Sequence, residues 1–128
     1  MEYKNILLIF EGEIGILTIN RPKSLNALNI ETLKEIQTGI QEVKDRSEMK
    51  VLILTGAGEK AFIAGADIVE MKDMNSLQAS QFSKLGHLTL NMIQDLDRPV
   101  IGAVNGFALG GGMEGLTQLL PPSITRQK

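Results

Sequence analysis

RPVIGAVNGFALGGGME, residues 98–114, is the stretch on which the reading of this chain turns. Three consecutive glycines, Gly110, Gly111 and Gly112, stand between a strand-like apolar segment and a helix-capable one, and Glu114 follows two positions on. Glycine inside a helix costs about 1 kcal/mol relative to alanine, so a run of them at a helix start requires a reason. PVIGAVNG reads as a strand that delivers the chain into those glycines. A helix N-terminus leaves backbone N–H groups unpaired and carries the positive end of the dipole, so this order offers donors to an anion, and glycine removes the side chains that would block its approach. Glu114 then falls in the first helical turn, where a proton-transfer group would stand relative to a developing oxyanion. An acidic residue also stabilises a helix start by about 0.3–1 kcal/mol with no chemistry at all. Taken locally, the two readings are even.

Upstream, NILLIF and IGILTIN flank EGE and read as a pair of strands, each short and bounded by polar residues or glycine. Asn20, Arg21 and Pro22 stop the second. From Ile30 the apolar residues fall at Ile30, Leu33, Ile36, Ile40 and Val43, the spacing of an amphipathic helix, with Asn29 as its N-cap and an end near Arg46. KVLILTG is a buried-type strand closed by Gly56. Phe82, Leu85, Met92 and Leu96 predict a longer helix over residues 77–96, ending before Arg98 and Pro99. Strands and helices in this alternation favour an α/β fold with parallel pairing.

The 128 residues are 43% hydrophobic and 22% charged, which suits one ordinary folded domain. With a formal net charge of -2 and scattered Lys and Arg, nucleic-acid and anionic-membrane partners are not expected. No apolar run approaches the roughly 18 residues of a membrane span, and Glu11 and Glu13 interrupt any signal-peptide pattern, so a cytoplasmic location is expected. The absence of cysteine removes disulfides, thiolate nucleophiles and Cys-type zinc sites, and the lone His87 forms no cluster. Chemistry is left to carboxylates, hydroxyls, backbone amides or a bound cofactor. His87 itself reads as an ordinary helical residue, and Met71, Met74 and Met92 as fillers of core or pocket gaps.

Two further glycine sites need weighing. TGAGEKA, residues 55–61, imitates a dinucleotide fingerprint after a strand, but the following AFIAGADI is a poor helix and a hairpin occupies the expected early position. A polar turn explains Gly56 and Gly58 better. AGAD, residues 64–67, sets small residues where a ligand could reach the main chain. Locally, a tight bend with Asp67 capping the next turn is the stronger reading.

Taken together, NRPKSLNALN at 20–29, GAGEKAFIAGADI at 56–68 and RPVIGAVNGFALGGGME at 98–114 resemble three signatures of the crotonase (enoyl-CoA hydratase/isomerase) family, in the family's order. The resemblance implies an α/β fold with a crotonase-like ββα spiral core. Two backbone N–H groups would bind an acyl-CoA thioester oxygen, at positions matching Ala66 and Gly111. Glu114 matches the first of two glutamates that, in the family's hydratases, hold water and move its proton. Lys23, Ala27, Ala64, Ala66, Asp67, Ile68 and Gly111 match positions lining the coenzyme A site, with Lys23 as partner for phosphate. The implied activity is an enoyl-CoA hydratase, equally a 3-hydroxyacyl-CoA dehydratase, needing no metal and no cofactor beyond the CoA carried by its substrate. An isomerase or other family enzyme, and a non-catalytic acyl-CoA binder, are the alternatives. Family members are typically homo-oligomers, trimers or hexamers.

The likeness stops at Glu114: GLTQLLPPSITRQK, residues 115–128, contains no Asp or Glu to match the second glutamate, and Pro121 and Pro122 halt any helix. The expectation is therefore residues 1–114 as the N-terminal part of a crotonase-like domain and 115–128 as a divergent tail. The family's C-terminal strands and trimerisation helices would be missing. An abrupt end of similarity favours a truncated or frame-shifted version of a longer gene over a short protein completed by a partner chain.

Overall fold

The computed structural model describes residues 2–58, 65–104 and 126–127. Strands β1 (Ile6–Glu11) and β2 (Ile14–Ile19) form an antiparallel hairpin, and helix α1 (Ile30–Lys44) carries the chain to β3 (Val51–Gly56). A short helix α2 (Ile68–Met71) and a long α3 (Ser76–Gln94) precede β4 (Val100–Val104), and β5 (Arg126–Gln127) follows. The sheet runs in the order β1-β2-β3-β4-β5, and every pairing after the hairpin is parallel. The α/β architecture expected from the alternation is what forms. No strand was expected in the tail, yet its residues Arg126 and Gln127 pair with Ala103 and Val104. Among the described residues, no helix is long and apolar enough to cross a membrane.

Each helix begins where its cap residue stands. The Asn29 side chain accepts the N–H of Thr32 at 2.8 Å, meeting one of the donors a helix start leaves unpaired. Asn75 and Gln78 form a reciprocal capping box at the head of α3. The first turn of α1 is also tied to α2, because Glu70 Oε1 accepts the N–H of Ile30 at 2.7 Å.

The two long helices end slightly earlier than the apolar spacing predicts. α1 stops at Lys44 rather than near Arg46, and the Arg46 guanidinium lies over the Phe10 ring, 3.9 Å from its centroid. α3 stops at Gln94, although Leu96 is still buried. Pro99 disfavours helical geometry in the residue before it, and the chain must straighten to enter β4. Arg98 ties this junction to the end of α1. Its guanidinium donates to the carbonyls of Val43, Lys44 and Arg46, answering the free carbonyls at the end of α1.

One face of the sheet makes the core. Ile6, Leu17, Ile19, Leu52, Leu54 and Val100 point toward α1 and α3, meeting Ile36, Ile40, Val43 and Ile93. The register places Leu7, Ile9, Ile14, Ile16, Ile53 and Ile101 on the opposite face, where they are exposed or half-buried. Burying one set of alternate residues leaves the other set facing outward, because side chains alternate across a strand.

Candidate active site

The segment between β2 and α1 is built around a buried asparagine. Pro22–Ser24 form a short 3-10 helix, after which Leu25 and Asn26 both take left-handed backbone angles, φ 53 and 57. Asn26 tolerates that geometry because its side chain replaces lost backbone bonding. It is fully buried; its Oδ1 accepts the N–H of Arg21 at 2.8 Å, and its Nδ2 donates to the carbonyl of Ala57 at 3.0 Å. The loop is thereby fastened to the end of β3.

Arg21 reaches from this loop to the small-residue turn. Its Nη1 lies 2.9 Å from Asp67 Oδ2 and 2.6 Å from the carbonyl oxygen of Ala27. The other Asp67 oxygen accepts the N–H groups of Val69 and Glu70 at 3.0 and 3.3 Å, capping α2. Burial pushes the Asp67 carboxyl up, but the Arg21 hydrogen bond and charge and the two backbone donors outweigh it and hold the group below its ordinary value. The expected cap is present, and it is joined by an ion pair that spacing did not reveal.

Gly65 and Ala66 lie beside this anchor. Gly65 has φ +99, a conformation that only glycine adopts without strain. A parallel bridge links Leu28 with Ala66: the N–H of Leu28 donates to Gly65 O at 2.7 Å, and that of Asp67 to Leu28 O at 3.0 Å. The N–H of Ala66 takes no part in the bridge. Because Gly65 O and the Ala66 N–H lie trans across one peptide plane, the N–H is directed away from Leu28. It has no hydrogen-bond partner among the described residues.

Gly65 and Ala66 also form part of the wall of a cavity of about 330 Å³ between the sheet, α1 and α3. Leu33, Leu54, Met71, Phe82 and Ile93 make it strongly apolar. His87 and Ser83 lie on its α3 side, and His87 is exposed, a helical residue as its position suggested. Met71 lines this cavity, Met92 packs partly buried against the core, and Met74 lines a second depression beside α2.

Of the residues singled out in the sequence, Ala27, Ala66 and Asp67 are brought together through Arg21 and Leu28. Ala27 and Asp67 are buried, and their side of the turn is occupied by Arg21. Lys23 and Ile68 are exposed, Ile68 to 80%. Ala64, Gly111 and Glu114 lie outside the described residues. Arg21 and Asn26, which build the turn, were not among the expected site residues of NRPKSLNALN. The signal was present in the order of NRPKSLNALN: a cation before proline, and an asparagine suited to a left-handed turn.

The described residues thus combine a mostly parallel sheet that opens with a hairpin, helices packed on one face, and a backbone donor at the wall of an apolar cavity. Residues 10–117 match the enoyl-CoA hydratase/isomerase family, and the chain belongs to that family. It is 54% identical over 114 residues to a short-chain-enoyl-CoA hydratase from Clostridium acetobutylicum, covering 89% of this chain and 44% of that protein. It is 47% identical over 114 residues to a crotonyl-CoA hydratase from Syntrophomonas wolfei, with the same coverage of 89% and 44%. A crystal structure of an enoyl-CoA hydratase from Bacillus anthracis superposes with TM-score 0.85 at 38% identity, covering 88% of this chain and 44% of that one. The chain thus spans less than half the length of these relatives and has their crotonase fold over that span.

Proposed function

We propose that this chain acts in the hydration of a short enoyl-CoA thioester, contributing the Ala66 and Gly111 amides as an oxyanion hole and Glu114 as the proton-transfer group. The observation that carries the reading is the Ala66 N–H, held by its neighbours yet directed away from them at the wall of an apolar cavity. In the reaction a water oxygen bonds to the β-carbon while Glu114 takes one of its protons. The double-bond electrons move toward the carbonyl, and the negative charge gathers on the thioester oxygen. Donors placed there bind the enolate more strongly than the substrate, which is the condition for lowering the barrier. When the carbonyl re-forms, Glu114 returns that proton to the α-carbon, so one carboxylate accepts and then donates it, and the sum is addition of water. The apolar cavity suits a short hydrocarbon chain, the exposed Lys23 offers a charge to the CoA phosphates, and no separate cofactor enters.

The test follows crotonyl-CoA with the full chain, reading loss of the conjugated thioester absorbance and, separately, binding by calorimetry. Turnover is expected, and Glu114→Gln should lower kcat by about 100-fold or more with binding nearly unchanged, the usual scale for losing a general acid–base group. Normal turnover by that variant would remove Glu114 from the mechanism. Binding without turnover in the parent chain would identify an acyl-CoA binder instead.

A further inference from the structure

We propose that Arg21 is a positioning residue for the oxyanion hole, aiming the Ala66 N–H through two linked peptide planes. The inference rests on the assignment of Ala66 as an oxyanion donor. The first plane holds the Ala27 carbonyl and the Leu28 N–H. Arg21 Nη1 fixes its oxygen at 2.6 Å. Being trans to that oxygen, the Leu28 N–H is turned the other way, and it meets Gly65 O at 2.7 Å. The second plane holds Gly65 O and the Ala66 N–H, so fixing that oxygen fixes the direction of the donor.

The same nitrogen of Arg21 holds the far side of Ala66 through Asp67 Oδ2 at 2.9 Å, and Asp67 Oδ1 is engaged by α2. One guanidinium therefore secures both flanks of a single amide. The clamp is sheltered, with the Arg21 and Asp67 side chains 17% and 13% exposed. It is also anchored behind: the Arg21 backbone exchanges hydrogen bonds with Asn26, whose side chain is tied to the end of β3. Gly65, at φ +99, has a backbone free to rotate in either direction, so without a hold on its carbonyl the Ala66 amide would sample other orientations. Arg21 touches no reacting atom; its guanidinium is taken up by the Ala27 carbonyl and Asp67. Its effect appears in how strongly the hole polarises the thioester.

The experiment is isotope-edited infrared spectroscopy of crotonyl-CoA, labelled at the thioester carbonyl and bound to the full chain. The parent chain should shift the carbonyl stretch to lower frequency. Arg21→Met, which keeps the aliphatic stem, should return the stretch most of the way to its free value and lower kcat by about 10- to 100-fold, the scale of a misplaced catalytic group, with KM little changed. Arg21→Lys, whose single ammonium nitrogen can donate to both partners but sits on a shorter stem without the planar guanidinium, should restore part of the shift. Asp67→Asn keeps a cap acceptor but removes the charge, and should give an intermediate shift while retaining the parent's circular dichroism. A folded Arg21→Met variant with the parent's full carbonyl shift overturns the positioning role. Should Arg21→Met not fold, Asp67→Asn decides by the same criterion. An unshifted carbonyl in the parent chain removes the Ala66 donor itself, and this role with it.

Discussion

Asp67 shows how one carboxylate serves two structural ends, with each oxygen assigned to a different partner. Its folded pKa lies below the unfolded value of about 3.9, so the unfolded chain binds more protons across the interval between them. The stability it confers is present above pH about 4 and is lost as pH falls through the folded value. Asp67→Asn should therefore flatten the acid limb of the stability profile, bringing parent and variant urea midpoints closer together below pH about 4 than at neutral pH. A parallel offset at every pH would show that the carboxylate's ionisation contributes nothing. Gly65 is the complementary case, where a backbone angle rather than a side chain sets the requirement. The local sequence AGAD suggested both a bend and a cap, and both are there. It could not name Arg21 as the partner, because that contact joins residues 46 positions apart.

At the scale of elements, the helices are placed by their ends as much as by their apolar faces. Arg98 illustrates this: a residue just before β4 closes the C-terminus of α1 more than fifty residues away, at 52 to 55 positions' separation. A charge-assisted hydrogen bond contributes roughly 1.5–3 kcal/mol, and the Arg98 side chain is only 11% exposed. Arg98→Met should thus lower unfolding stability by about 2 kcal/mol, seen as a lower urea midpoint with an unchanged slope. An unaltered midpoint would mean that water replaces the guanidinium at no cost. The periodicity of α1 was legible because Leu33, Ile36, Ile40 and Val43 all face the core. The buried face of α3 is less legible, since Thr89 is buried and accepts a hydrogen bond from Gln37 at 2.9 Å. A polar residue on an apolar face breaks the pattern when its partner lies on another helix.

For the whole molecule, the sheet is the organising fact, and its two faces have different fates. The helix-covered face forms the core, while Leu7 and Ile9 on the other are 46% and 48% exposed. An antiparallel hairpin can present one face to water, but that face is ordinarily polar; here Ile14 shares it with Leu7 and Ile9, and an exposed apolar group of this kind favours association. The full chain should self-associate as its concentration rises, measured by sedimentation velocity, and Ile9→Lys should weaken that association without lowering the melting temperature. A single monomer boundary at all concentrations would contradict this. The succession β1, β2, α1, β3, α3 and β4, the Asn29 cap and the Asp67 cap followed from the sequence alone, because they rest on contacts between near neighbours and on the alternation of polar and apolar residues. The Arg21 clamp, the direction of the Ala66 N–H and the apolar cavity beside it were decided only by tertiary structure, because they depend on which distant segments the sheet brings within hydrogen-bonding reach.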